Sequence, residues 1–116
     1  MKIEKKDIIL ESKPARWGTK AYHDAKKLYL SAFPANERFS MFSLLAMSLK
    51  ANVKFHALYD QDVFCGIAYY VESSSTVYLT YLAVNQDLRG HGYGSKILTM
   101  LEEKYPDKQI VIDIEP

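Results

Sequence analysis

The sequence has a single cysteine, Cys65, which excludes an intrachain disulfide and any cysteine cluster for metal. Its neighbours, Val63-Phe64 and Gly66-Ile67, mark it as a small buried filler and not a reactive thiol. An excess of charge of either sign is also missing. Lys and Arg number 15 against 14 Asp and Glu, a formal net charge of +1 over 116 residues, so no global basic field gathers nucleic acid or an anionic membrane. Any anion site must be local. No apolar run approaches the roughly 18 residues that a bilayer span requires. Met1-Lys2-Ile3-Glu4-Lys5-Lys6 has no apolar stretch behind it like that of a signal peptide. These absences set the expectation of a cytoplasmic protein with neither a membrane nor a nucleic-acid partner. His23 has no second histidine or carboxylate at ligand spacing, so no metal is expected.

What is present is a chain 48% hydrophobic, 25% charged and 13% aromatic, the composition of one globular domain over residues 1–116. Asp7-Ile8-Ile9-Leu10-Glu11, followed by Pro14, reads as a first strand at a sheet edge. From Thr19-Lys20 the apolar residues Ala21, Tyr22, Ala25, Leu28, Tyr29 and Phe33 recur at helical spacing until Pro34. The helix buries its Ala25/Leu28/Tyr29 face and leaves His23 and Asp24 in solvent. A second helix, Met41 to about Ala51, is apolar around much of its surface and is expected to be covered on more than one side. The loop between the helices carries Glu37-Arg38. Glu37 suits the positive end of a helix, and the pair is also a candidate substrate contact, because binding residues concentrate in loops held between packed elements.

Beyond Asn52 the period becomes strand-like. Val53–Tyr59, Val63–Val71 and Thr76–Val84 are separated by polar turns and form an antiparallel meander. His56 reads as a packed strand residue, and the nine tyrosines as core residues with hydroxyls at the rim. Alternation in the third strand assigns Tyr78, Thr80, Leu82 and Val84 to one face and Val77, Leu79, Tyr81 and Ala83 to the other. The strand runs into Asn85-Gln86-Asp87-Leu88-Arg89-Gly90-His91-Gly92-Tyr93-Gly94-Ser95. Glycines at 90, 92 and 94 let the backbone adopt φ > 0 and turn successive N–H groups into one concavity, a phosphate cradle. The helix that follows, with its stripe Gly94, Ile97, Leu98, Leu101 and Tyr105, adds its positive end. Pro106 stops it, and Gln109–Glu115 reads as a strand parallel to the one before the helix. The fold class is α+β, with a mixed, mainly antiparallel sheet of about five strands and helices on both faces.

Three phosphate-binding classes use such a cradle. A Walker loop requires Lys-Ser/Thr after its glycines, and here the order is Ser95-Lys96. A dinucleotide-binding domain is the nearer rival, since Gly90-x-Gly92-x-x-Ser95 approximates its fingerprint and Asp113 or Glu115 lies near the end of the next strand. Against it, serine replaces the third glycine, five residues separate strand from cradle, and an antiparallel meander is foreign to a doubly wound sheet. Leu82-Ala83-Val84, then Arg89-Gly90-His91-Gly92-Tyr93-Gly94, then Ile97-Leu98 resembles the acyl-CoA-binding motif of the GNAT superfamily of N-acyltransferases, Gln/Arg-x-x-Gly-x-Gly/Ala. Arg89, Gly92 and Gly94 occupy its defined positions, and the order of elements matches over nearly the whole chain.

The resemblance implies an enzyme that uses acetyl-CoA as cosubstrate and transfers an acetyl group to a primary amine, on a small molecule or a peptide, by direct attack. Amides from Arg89, Gly90, His91, Gly92, Tyr93, Gly94 and Ser95 would hold the pyrophosphate, with His91 and Tyr93 facing outward. Leu82, Ala83 and Val84 would pair their main chain with the pantetheine arm. Relatives carry a glutamate in the strand before the motif, whereas Thr76-Val77-Tyr78-Leu79-Thr80-Tyr81 has no carboxylate. Glu115 and Glu37 are the candidate general bases, and Glu37 and Arg38 the candidate substrate contacts. Relatives also continue with a helix and two strands, so the chain is expected to be truncated after the fifth strand, leaving an edge open to a second copy in a homodimer. A non-catalytic acyl-CoA-binding or interaction module is the alternative.

Overall fold

A computed structural model describes residues 8–37 and 39–112. The elements run β1 (Leu10–Pro14), α1 (Lys20–Ala32), a 3-10 turn at Ala35–Glu37, α2 (Met41–Met47), β2 (Val53–Asp60), β3 (Val63–Glu72) and β4 (Thr76–Val84). A second 3-10 turn at Gln86–Leu88, α3 (Tyr93–Lys104) and β5 (Gln109–Ile112) complete them. The five strands form one sheet in sequence order. The first three pairings are antiparallel and β4–β5 is parallel, as a strand–helix–strand crossover demands.

Local chemistry sets the boundaries. Thr19 caps α1 by accepting the Tyr22 N–H at 3.1 Å, and Ser40 caps α2 by accepting that of Ser43 at 3.1 Å. β1 starts later than the apolar run suggests and includes Pro14, which an edge strand tolerates because its missing N–H breaks no ladder bond on the outer side. Asp7 lies outside the described residues. α2 ends at Met47, short of Ala51, as Ser48 and Leu49 turn the chain toward β2.

Helices cover both faces. α1 and α2 pack Ala25, Leu28, Tyr29 and Leu44 against Phe55, Ala57, Ile67 and Tyr69, while α3 packs Ile97 and Leu101 against Leu58, Ala68 and Tyr70. Full burial of Ile97 and Leu101 contributes about 1.5–3 kcal/mol each. Asp24 corrects the solvated reading given to it. It accepts a hydrogen bond from Lys20 within α1 at 2.8 Å and one from the Tyr59 hydroxyl at 2.7 Å, and the latter ties α1 to β2.

The alternation in β4 is also corrected. Tyr69 pairs with Tyr81 but Tyr70 with Leu79, so Thr80 is an extra residue, a β-bulge. Val77 and Leu79 therefore join Leu82 and Val84 against α3, while Tyr81 and Ala83 face α1. A second bulge leaves Cys65 unpaired with β2, since Leu58 pairs with Gly66 and Tyr59 with Phe64. Cys65 is buried, and its carbonyl accepts the Asn85 N–H at 2.6 Å, fixing the exit of β4.

Candidate functional site at the end of β4

β3 pairs with β4 as far as Val84, but β5 pairs with it only across Thr76–Leu79 among the described residues. From the bulge onward, the edge of β4 that faces away from β3 has no strand partner within those residues. Its main-chain groups are open to an extended ligand. Gly66 lets β3 approach this segment closely. A Cβ there would collide with the Ala83 carbonyl oxygen.

The chain leaves the strand through an Asx turn. The Asn85 side chain accepts the Asp87 N–H at 3.2 Å and donates to the Phe64 carbonyl at 3.1 Å, so one residue both shapes the loop and anchors it to β3. The Arg89 N–H bonds the Gln86 carbonyl at 3.4 Å and its Nε donates to the Val84 carbonyl at 3.4 Å. Gly90 and Gly92 then take φ of +84°, and Gly92 caps α3 with no side chain to satisfy the helix end. The first bond of the helix runs from Lys96 N–H to the Gly92 carbonyl at 3.1 Å. The amides of Gly90, His91, Gly92, Tyr93, Gly94 and Ser95 thus have no hydrogen-bond acceptor among the described residues. Six free donors at the positive end of a three-turn helix make a concavity suited to a phosphate or pyrophosphate.

Three expectations are corrected here. The Arg89 amide is engaged within its turn and is not one of the free donors. Gly94 has ordinary helical geometry, and only Gly90 and Gly92 of the three glycines take positive φ. Tyr93 does not face outward. It is half-buried, and its hydroxyl donates to Asp60 Oδ2 at 2.9 Å, which fastens the first residue of α3 to the end of β2. The bond to Asp60, helped by burial, pushes the Tyr93 phenol up to about 12. Burial likewise raises the Cys65 thiol, which keeps it inert. Asp60 escaped notice in the sequence because its partner lies 33 residues away. Asn85 carried a readable signal, an Asx turn directly after an apolar strand.

On the opposite face Tyr81, just past the bulge, meets Tyr29 and Phe33 edge-on with ring centroids at 4.9 Å each, and Phe39 at 6.3 Å. The Tyr29 hydroxyl donates to the Phe39 carbonyl at 3.0 Å. The α1–α2 connection is thereby held over the middle of β4. Glu37 lies in this connection, in the Ala35–Glu37 turn, and nothing is described of its side chain. Arg38 and Glu115 lie outside the described residues. Among the described residues no group of three or more His, Cys, Asp or Glu could hold a metal ion. No helix among them is long and apolar enough to cross a membrane.

The sequence profile of the acetyltransferase (GNAT) family matches residues 10–115. The chain belongs to the GNAT acetyltransferase family. Among solved structures it is similar to a protein described as a GNAT-family acetyltransferase from Bacteroides thetaiotaomicron, at 25% identity and a TM-score of 0.79, over 91% of this chain. The chain spans 61% of the length of that relative. An aminoglycoside acetyltransferase from an uncultured soil metagenomic sample, solved with trehalose, shares the fold at a TM-score of 0.69 and 15% identity, covering 93% of this chain and 78% of its own. A GNAT-family acetyltransferase from Elizabethkingia anophelis, solved with acetyl-CoA bound, shares it at 0.61 and 18%, covering 89% and 63%. No curated protein matches the sequence. This GNAT chain thus has the five-stranded mixed sheet and the glycine turn in the order its sequence implies, with a bulge in β4 that the sequence did not show.

Proposed function

We propose that this GNAT chain binds acetyl-CoA at the end of β4 and transfers the acetyl group to a primary amine on a small molecule or peptide. The observation that carries the reading is the set of six free amides from Gly90 to Ser95 at the N-terminus of α3, directly after an open strand edge. These amides fit the two phosphates of a pyrophosphate, and the Leu82–Val84 main chain fits an amide-bearing arm that pairs with it as an added strand. When bound, acetyl-CoA supplies the activated thioester. The chain's part is to align that arm along β4, to present an outward N–H of Leu82–Val84 to the thioester carbonyl, and to accept a proton from the ammonium. Glu115 or Glu37 would take that proton, directly or through a water. Arg38 would join Glu37 in contacting the acceptor.

A second reading, an acyl-CoA-binding module without turnover, is favoured by one feature: Thr76–Val84 carries no carboxylate. Calorimetric titration with acetyl-CoA, NAD and ATP separates the ligand classes, and acetyl-CoA alone is expected to give saturable heat. A free-thiol readout with spermidine, amino sugars, peptide N-termini and lysine then separates the two readings. Thiol release with any acceptor supports transfer. Binding without release throughout supports the module.

A further inference from the structure

The three most exposed large apolar side chains among the described residues, Trp17 at 77%, Phe42 at 81% and Leu49 at 84%, come from separate segments and line one cavity of about 1040 Å³. It lies where β1 leaves the sheet at Pro14, between the turn after β1, the end of α2 and the first residues of β2. Its charged lining has one sign. Arg16, Lys50, Lys54 and Lys104 converge on it, no carboxylate lines it, and none of the four has an ion-pair partner among the described residues. Glu72, the carboxylate that feels Lys54, is already held by Lys108 at 3.2 Å and by the Tyr105 hydroxyl at 3.0 Å.

His56 forms part of the floor, half-buried and edge-on to the Tyr70 ring with centroids at 6.0 Å. Burial, reinforced by Lys104, Lys54 and Arg16, lowers its pKa to about 4, so it is neutral at pH 7. Unpaired cations around a wall of exposed aromatic and aliphatic groups are complementary to an anion attached to an apolar body. An ammonium acceptor would be repelled. His56 also sits four residues, about 13 Å along β2, from Asp60, which anchors the start of α3.

We propose that this cavity is a second ligand site, distinct from the β4 site, that takes a small organic anion with an apolar body such as a medium-chain or aromatic carboxylate. The apolar body lies against Trp17, Phe42 and Leu49, and the carboxylate meets Lys54 and Lys104.

Trp17 is the single tryptophan, so its fluorescence reads the site directly. The full chain is titrated with decanoate and with decyltrimethylammonium, both below their micellar concentrations, and with phosphatidylcholine and phosphatidylserine vesicles. A saturable blue shift with decanoate, no saturable shift with the ammonium amphiphile, and an affinity about ten-fold weaker in the double variant Lys54→Ala/Lys104→Ala are expected, since two solvated charge pairs of modest strength are lost. Circular dichroism verifies the fold, and Lys50→Glu, on an exposed side chain, provides an independent variant expected to weaken decanoate. Equal affinity for the two amphiphiles, unchanged affinity in both variants, or a shift with vesicles but not with decanoate overturns the proposal.

Discussion

Of the four glycines around the β4 site, Gly92, Gly94 and Gly66 are each required, or not required, for a different physical reason, so alanine at these three positions gives a ranked prediction. At Gly92 an added Cβ meets nothing within 4 Å, and the cost is purely that of holding an L residue at φ +84°. That conformation costs roughly 1–2 kcal/mol, and the stiffer unfolded chain returns about 0.4–1 kcal/mol. Gly92→Ala should therefore lose about 1 kcal/mol, roughly 4 °C in Tm for a domain of this size. At Gly94 the backbone is helical and the nearest atom, Val84 Cγ2, lies at 3.8 Å from the new Cβ, an ordinary contact. Gly94→Ala should gain about 0.5–1 kcal/mol. At Gly66 the new Cβ would collide with the Ala83 carbonyl and lie 3.3 Å from Val84 Cα, both backbone atoms of a paired strand. Overpacking of this kind costs about 1–3 kcal/mol, so Gly66→Ala should be the least stable of the three. Urea denaturation followed by circular dichroism measures the order. Gly92→Ala as stable as the parent, or Gly94→Ala below Gly92→Ala, would refute the assignment of strain to the cradle.

Other expectations rest on single contacts. Tyr93→Phe removes the hydrogen bond to Asp60, whose other oxygen is already buried without a partner among the described residues, and should cost about 1–3 kcal/mol in the same urea assay; a loss under a few tenths would mean that α3 is not fastened there. His56 is depressed to about 4 in the folded chain, so the unfolded chain binds its proton first. Stability should be fully expressed above about pH 6.5 and decline as pH falls from there toward 4. His56→Leu should flatten that part of the profile, and an unchanged slope would remove the histidine as its source. In the β2–β3 turn Gln61 and Asp62 sit at φ 52° and 70°. Asp62→Gly should raise stability by up to about 1 kcal/mol, and a lower melting temperature would contradict this reading of the turn.

The meander, the parallel last strand and the glycine turn were legible in the sequence because their signals are local: alternation, polar turns, an apolar helix stripe and glycine spacing. The two bulges were not. The extra residue at Thr80 is set by how β3 and β4 pair across a dozen residues, and it reverses the face of Val77 and Leu79 while leaving the composition of the strand unchanged. The Tyr93–Asp60 bond failed to show for the same reason, since it joins a helix start to a distant strand end. Gly94 was legible as part of a motif, but its backbone conformation was not, because spacing does not distinguish a residue in a left-handed turn from one in the first turn of a helix.

The central claim, that the amides from Gly90 to Ser95 receive the phosphates of acetyl-CoA, is tested most directly on the glycines themselves. The chain has five glycines, three of them in the cradle and Gly18 in the turn after β1. With the chain labelled at glycine nitrogen, titration with acetyl-CoA should shift the Gly90, Gly92 and Gly94 amide signals along one saturable curve and leave Gly18 in place. Saturable binding of acetyl-CoA with those three signals unmoved would contradict the account.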